Sequence, residues 1–311
     1  MKFSHNPIMV AECMDALDVK QDGIYVDCTA GGGGHSQAIL DRLGESGRLI
    51  DIDRDTEALN ACKQRFDGKS NVTFVKSNYK DICKVLDSLG IDKVDGIMAD
   101  LGISSYQIDN PERGFSYMER SAPLDMRMDQ TTGLTAKDVV NTYDERELYE
   151  ILKDYGEEEF AKVIASNIVK QRQIKSFETC GDLVDVTDKS IPAAVKRKRG
   201  HSAKKTFQAL RIEVNKELDG LDKALRDMVS RLNPNGRLVI LTFHSLEDRI
   251  VKRCFNDCQT DCICPPSAPI CVCNHRAVGK LVNKKPIVPS AQEQQENTRS
   301  CSCKLRALEK L

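Results

Sequence analysis

The chain has 311 residues, room for about two domains at ~150 residues each and enough to bury a core without disulfides or metal. Apolar residues make up 40% and charged residues 30%, which excludes collagen-like, low-complexity and membrane-spanning classes. With 46 Lys+Arg against 47 Asp+Glu, the net charge of -1 excludes a uniformly basic surface, so any nucleic-acid contact needs a local patch. Met1-Lys2-Phe3-Ser4-His5-Asn6-Pro7 has no apolar stretch of the signal-peptide kind, and the expected location is the cytoplasm.

The first hundred residues alternate short apolar runs with segments of helical period. Ile24–Cys28, Arg48–Asp53, Val72–Val75 and Val94–Asp100 read as strands. Ser36–Leu43 and Asp55–Phe66 read as the helices between them. This alternation predicts an α/β fold with a parallel sheet covered by helices. After Asp100 the pattern breaks. Ala136–Tyr155 and Glu157–Gln171 form two candidate helices parted at Gly156, and Cys180–Ser190 a third, within a helical insert over residues 110–200. The α/β pattern resumes with one long helical stretch, Thr206–Leu232, ended by Asn233-Pro234-Asn235-Gly236. Arg237–Phe243 is the strongest strand, Glu247–Phe255 a helix, and Lys304–Leu308 a final strand. The expected organisation is a core of 1–109 and 201–311 interrupted by the insert.

Chemistry concentrates at the predicted strand ends. Gly31-Gly32-Gly33-Gly34 lies between the first strand and its helix, where glycine lets a ligand approach main chain closely. No Gly-Lys-Ser/Thr follows, so a P-loop is excluded. Asp53, ending the second strand, suits the hydroxyl pair of a ribose, which NAD and S-adenosylmethionine both carry. The broken last glycine of the dinucleotide pattern and the acidic Asp27 before the loop favour the latter. Asp27, Asp53 and Asp100 are all expected at the carboxyl edge of the sheet.

These stretches belong to a longer series. Thr29–Ser36, Asp53-Arg54-Asp55, Asp100–Ser105 with Gln107 and Asp109, Arg113–Ser116, Leu124–Met128, Thr206–Ile212 with Asn215 and Glu217, and Phe243–Arg249 occur in order. With His5-Asn6-Pro7 and Lys285-Pro286-Ile287, the chain resembles the bacterial 16S ribosomal RNA (cytosine-N4)-methyltransferase family over nearly its whole length. Tyr106, where that family usually has proline, and Cys301-Ser302-Cys303 depart from the pattern. The resemblance implies a Rossmann-like class I S-adenosylmethionine-dependent methyltransferase core with a helical insert domain for substrate recognition. It places cofactor contacts on Gly33, Gly34, His35, Asp53, Tyr79, Asp100 and Gln107. It implies methylation of a decoding-centre cytidine at N4, with 16S rRNA, in the small ribosomal subunit, as partner. Asp100 is the candidate acceptor for the reacting amine, and His244, beyond the strongest strand, a second candidate at the active face. An RNA-binding ribosome-assembly protein with a vestigial methyltransferase core is the alternative. The oligomeric state stays open, a homodimer included.

Two further features stand out. Lys196, Arg197, Lys198, Arg199, Lys204 and Lys205 concentrate six cations in ten residues and are expected to touch RNA backbone. Eight of the 13 cysteines lie between Cys254 and Cys303, and a reducing compartment favours metal over disulfides there. Cys262, Cys264, Cys271 and Cys273 are the expected ligands of a structural zinc, although Cys-x-Cys is tighter than the usual spacing. Free or redox-active thiols are the other reading.

Overall fold

The computed structural model describes residues 7–265, 270–273 and 275–311, without the side chains of Lys198 and Arg199. His5 and Asn6 of the opening motif lie outside the described residues. The strands are β1 (Ile24–Asp27), β2 (Arg48–Asp53), β3 (Val72–Lys76), β4 (Val94–Asp100), β5 (Leu232–Thr242), β6 (Gly279–Leu281) and β7 (Lys304–Lys310). The helices are α1 (Val10–Leu17), α2 (Gly34–Leu40), α3 (Thr56–Arg65), α4 (Ile82–Ser88), α5 (Ser105–Asp109), α6 (Ala136–Thr142) and α7 (Glu145–Asp154). They continue with α8 (Ala161–Ile174), α9 (Cys180–Ser190), α10 (Ala193–Arg199), α11 (Lys204–Asn215), α12 (Leu221–Ser230), α13 (Ser245–Cys258) and α14 (Ala291–Glu296). Among the described residues, no helix is long and apolar enough to cross a membrane.

The chain divides into two compact units, Met1–Gly102 with Gly220–Leu311, and Ile103–Asp219. The first is built on a seven-stranded sheet in the order β3-β2-β1-β4-β5-β7-β6. Pairs from β3 to β5 are parallel, and β7 runs antiparallel to both β5 and β6. The sheet is therefore Rossmann-like, with helices on both faces. Cys13, Leu17, Ile39, Leu59 and Cys62, from α1, α2 and α3, pack on one face. Ile82, Leu86, Leu225, Met228, Val251 and Phe255, from α4, α12 and α13, pack on the other. Burial on both sides explains why the strands read as continuous apolar runs rather than alternating ones. Strand order reverses between β1 and β4, so the crevice at their carboxyl ends is the expected ligand position for this topology.

The boundaries differ from the sequence reading in three places. The second unit runs Ile103–Asp219 rather than 110–200, because α5 and α11 both belong to it. The stretch from Thr206 to Leu232 is two helices: Lys216 is left-handed (φ 50°) at the end of α11, and Gly220 (φ 69°) starts α12. Asn233-Pro234-Asn235-Gly236 is a bulge inside β5, where Val94 pairs with Leu232 and Gly96 with Arg237. Its left-handed Asn235 (φ 65°) and the Asn233–Asp95 side-chain bond of 2.8 Å hold the extra residues.

The second unit has its own core of α6, α7, α8, α9 and α11, through Val139, Leu148, Ile164, Leu183 and Leu210. The helix expected from Ala136 to Tyr155 is broken in two at Tyr143-Asp144. Asp144 caps α7, accepting from the Glu147 N–H at 2.8 Å while Glu147 returns the bond. That capping box outcompetes continuation of α6.

Candidate active site

The glycine loop is fixed from below by Asp27. Asp27 is buried, and its carboxylate accepts from the Thr29 N–H (3.1 Å) and the Ser36 hydroxyl (2.8 Å). Its role is to clamp the loop, whereas the sequence reading placed it against a ligand. Thr29 Oγ1 in turn accepts from the Asp100 N–H at 2.7 Å, tying the loop to the end of β4. Gly31 (φ 50°) and Gly33 (φ 74°) are left-handed, a region that disfavours side chains. A Cβ on Gly33 would stand 3.0 Å from the Phe66 ring, and one on Gly34 would stand 2.6 Å from the Pro7 ring. Glycine is thus dictated at both positions by the walls of the crevice. Arg65 closes the outer side through a 2.9 Å bond to the Gly32 carbonyl.

Asp53 ends β2 facing the same loop. Its two oxygens accept from the main-chain N–H groups of Gly31 (2.9 Å) and Asp55 (2.8 Å). Each oxygen keeps a second lone pair. Burial pushes its pKa up to about 6, against those two N–H donors, with Asp55 and Asp27 adding to the rise.

Asp100 ends β4. Its Oδ1 is buried without a hydrogen-bond partner among the described residues, although the side chain as a whole is 30% exposed. Burial is the largest influence on its pKa, also about 6; His35 opposes the rise and Asp27 and Glu247 reinforce it. His35 is buried, with Nε2 2.9 Å from the Ile8 carbonyl and Nδ1 4.0 Å from Asp100 Oδ2. A buried carboxylate oxygen beside a glycine cradle, without a partner among the described residues, is an acceptor open to a donor from a ligand.

The remaining expected residues are placed as follows. Tyr79 lies just past β3, half-buried, with Lys80 Nζ 5.8 Å from its ring centroid. The His244 side chain is buried at the head of α13, with Nε2 3.1 Å from Glu247 Oε1, and neither ring nitrogen has a hydrogen-bond partner among the described residues. Glu247 Oε2 accepts from the Phe243 N–H at 3.0 Å and so closes the start of α13. Asp248 does not cap; it pairs with Arg306 (2.7 Å) and Lys304 (3.0 Å) of β7.

Gln107 belongs to the second unit. It is buried and completes the capping box of α5: its Oε1 accepts from the Ser104 N–H (3.1 Å) and its own N–H donates to Ser104 Oγ (3.2 Å). Of the basic residues, Lys196 is paired to Asp188 at 2.7 Å and Lys205 donates to the Glu157 carbonyl at 2.6 Å. Arg197 and Lys204 are exposed. The side chains of Lys198 and Arg199 lie outside the described residues.

The four cysteines of the expected zinc set come together. The sulfurs of Cys262, Cys264, Cys271 and Cys273 all lie within 4.8 Å of one another. Cys254 and Cys258 are instead core residues of α13, and Cys303 is buried at the start of β7.

Several motif residues turn out to build the second unit. Arg113 is buried and donates through Nη2 to the carbonyls of Arg127 (3.1 Å) and Met128 (2.8 Å). Asn215 donates to the Met126 carbonyl (2.7 Å) and accepts from the Met128 N–H (2.8 Å). Arg211 and Glu217 form a two-pronged pair, both bonds 2.8 Å. Gly114 admits no side chain, since a Cβ would stand 2.1 Å from the Pro123 carbonyl oxygen. The only sequence signal for this knot was the spacing of its polar residues.

The profile of the MraW methylase family matches residues 2–311. The chain belongs to the MraW methylase family. A relative from Clostridium botulinum (strain Kyoto / Type A2), named ribosomal RNA small subunit methyltransferase H, is 54% identical over all of both chains. One from Agathobacter rectalis, named ribosomal RNA small subunit methyltransferase H 2, is 52% identical over all of this chain and 99% of its own. One from Lachnospira eligens, named ribosomal RNA small subunit methyltransferase H, is 52% identical over the same shares. In this MraW family member, the glycine loop, Asp53 and Asp100 share the carboxyl edge of one sheet.

Proposed function

We propose that the protein transfers the methyl group of S-adenosylmethionine to the N4 amine of a decoding-centre cytidine in 16S rRNA. Family membership and relatives above half identity make it a methyltransferase acting on small-subunit ribosomal RNA. The observation that carries the finer reading is Asp100: an acceptor oxygen, buried and without a partner among the described residues, at the end of β4 beside the glycine loop.

The crevice of the first unit fits the cofactor. The left-handed Gly31 and Gly33 turn the loop across the carboxyl end of β1, where the aminoacyl portion would lie. The spare lone pairs of Asp53 suit a ribose hydroxyl pair. Tyr79 stands beyond the neighbouring strand, where an adenine edge would lie. When bound, S-adenosylmethionine supplies an electrophilic methyl on a sulfonium.

The chain's own contribution is positioning and charge. A cytosine N4 amine is a weak nucleophile, because its lone pair is delocalised into the ring. An acceptor for one N4 proton orients the amine and stabilises the positive charge that grows there as the N–C bond forms and the S–C bond breaks. Ionised Asp100 is that acceptor, and the surplus proton leaves through it to solvent. No cysteine nucleophile is required, since carbon 6 of the base is never attacked. Glu247, accepting from the Phe243 N–H, holds the turn after β5, and His244 lies beside it. The exposed Arg197 and Lys204 of the second unit contact RNA phosphates.

The test is incubation with labelled S-adenosylmethionine and small subunits from a strain lacking this methyltransferase. Label incorporated into the ribosomal RNA is the expected result. RNA binding with bound cofactor and no incorporation would instead support the assembly-protein alternative.

A further inference from the structure

The connection from Gln259 to Val278 joins α13 to the edge strand β6. Connections longer than about 12–15 residues without secondary structure are uncommon in compact domains and need something to hold them. Burial does not hold this one. Ile263, Ile270 and Val272 are 66%, 74% and 79% exposed, and no residue of the connection belongs to a hydrophobic core among the described residues. What converges inside it is sulfur.

Cys262 Sγ lies 3.4 Å from Cys271 Sγ and 3.8 Å from Cys273 Sγ, and Cys271 and Cys273 are 3.6 Å apart. A disulfide needs about 2.05 Å. A tetrahedral ion with metal–sulfur bonds of ~2.3 Å needs sulfur–sulfur edges of about 3.8 Å. The two Cys-x-Cys arms, from opposite ends of the connection, therefore stand at metal-ligating rather than bonding separation.

The Val272 N–H of the second arm donates to Cys264 Sγ of the first at 3.5 Å, a further main-chain tie between the two. Four soft ligands in tetrahedral proximity select zinc or iron. With Cys262 and Cys271 exposed to solvent and oxygen, the redox-inert ion is the one that persists.

We propose that Cys262, Cys264, Cys271 and Cys273 bind one structural zinc ion that pins the Gln259–Val278 connection. The site takes no part in methyl transfer and does not depend on that reading. The metal content of the full-length protein, purified under reducing conditions with zinc present and then dialysed, tests it. The expected result is one zinc per chain, absent from a Cys271→Ser/Cys273→Ser variant and retained by Cys301→Ser, whose thiol is exposed outside the cluster. Circular dichroism of the double variant checks that its sheet and helices persist. Cobalt(II) in place of zinc in the unaltered protein should show the intense thiolate charge-transfer and red ligand-field bands of a tetrahedral tetrathiolate site, independently of any variant. Zinc well below one per chain, full retention by the double variant, iron in place of zinc, or an octahedral cobalt spectrum would each overturn the proposal.

Discussion

Asp100 and Asp53 both hold a carboxyl with its pKa near 6 where an exposed one titrates near 4. Burial is the first cause in each, so the folded apo-protein prefers both in the neutral form. The stabilisation from that preference is full below the unfolded pKa of about 4 and is lost as pH rises through about 6. Asp100→Asn, neutral at every pH, should therefore melt above the wild-type apo-protein at pH 7.5, with the difference vanishing towards pH 4 in a scanning-calorimetry series. A variant that melts lower at pH 7.5 would contradict the pKa assignment. Activity should run the opposite way. Methyl transfer per unit of free enzyme should climb as pH passes about 6, because the acceptor works only when ionised. In Asp100→Asn, single-turnover transfer should fall about 100-fold, the scale of losing one preorganised electrostatic partner. Its affinity for S-adenosylmethionine, read by calorimetry, should stay within a few-fold; equal loss of both would make Asp100 a cofactor ligand only. These carboxylates were legible in the sequence because each ends an apolar run. The clamp by Asp27 was not, since a strand-end aspartate looks the same whether it faces a ligand or its own loop.

At the scale of elements, the glycine loop is rigid for reasons that lie in its neighbours. Gly33→Ala would place a Cβ in a left-handed residue and against Phe66, a strain of about 1–2 kcal/mol before any ligand is considered. Urea unfolding should show that loss, together with weakened cofactor binding. In the second unit, Asn215 ties two buried main-chain groups of the Met126–Met128 turn. Asn215→Ala should destabilise the protein by about 2 kcal/mol, within the usual range for stranding buried polar groups. A change within 0.5 kcal/mol in chemical denaturation would show that water replaces the amide. Strands β1 to β5, β7 and helix α9 were readable from apolar pattern, whereas the three-residue β6 was not. The break between α11 and α12 was not readable either: the left-handed Lys216 that ends α11 gives no warning, and the one glycine there, Gly220, lies four residues further on at the start of α12. The bulge in β5 read as a turn for a similar reason: Asn-Pro-Asn-Gly is turn chemistry, here used within a strand. The role of Arg113 depends on residues brought close by folding and could not be read locally, whereas that of Gln107 lay in the local Ser104–Gln107 capping pattern, which went unread.

At the scale of the whole molecule, a net charge of -1 must be reconciled with an RNA substrate. The second unit concentrates basic residues near α10 and the start of α11, but Lys196 and Lys205 are already engaged within it. The exposed Arg197 and Lys204 are the side chains with most to offer a phosphate. Arg197→Glu with Lys204→Glu should weaken RNA binding and make the fall of log affinity with log salt shallower by about one for each phosphate contact removed. Cofactor affinity should not change. An unchanged salt slope in a filter-binding series would place the RNA elsewhere.

The central claim is the identity of the methylated atom. Small subunits lacking the modification should be methylated by the pure protein, their RNA digested, and the nucleosides separated against authentic N4-methylcytidine and 5-methylcytidine, which share one mass. The account predicts N4-methylcytidine alone, mapped to a single decoding-centre position and greatly reduced with Asp100→Asn. Methyl on carbon 5 of cytosine, or on any other base, would contradict it.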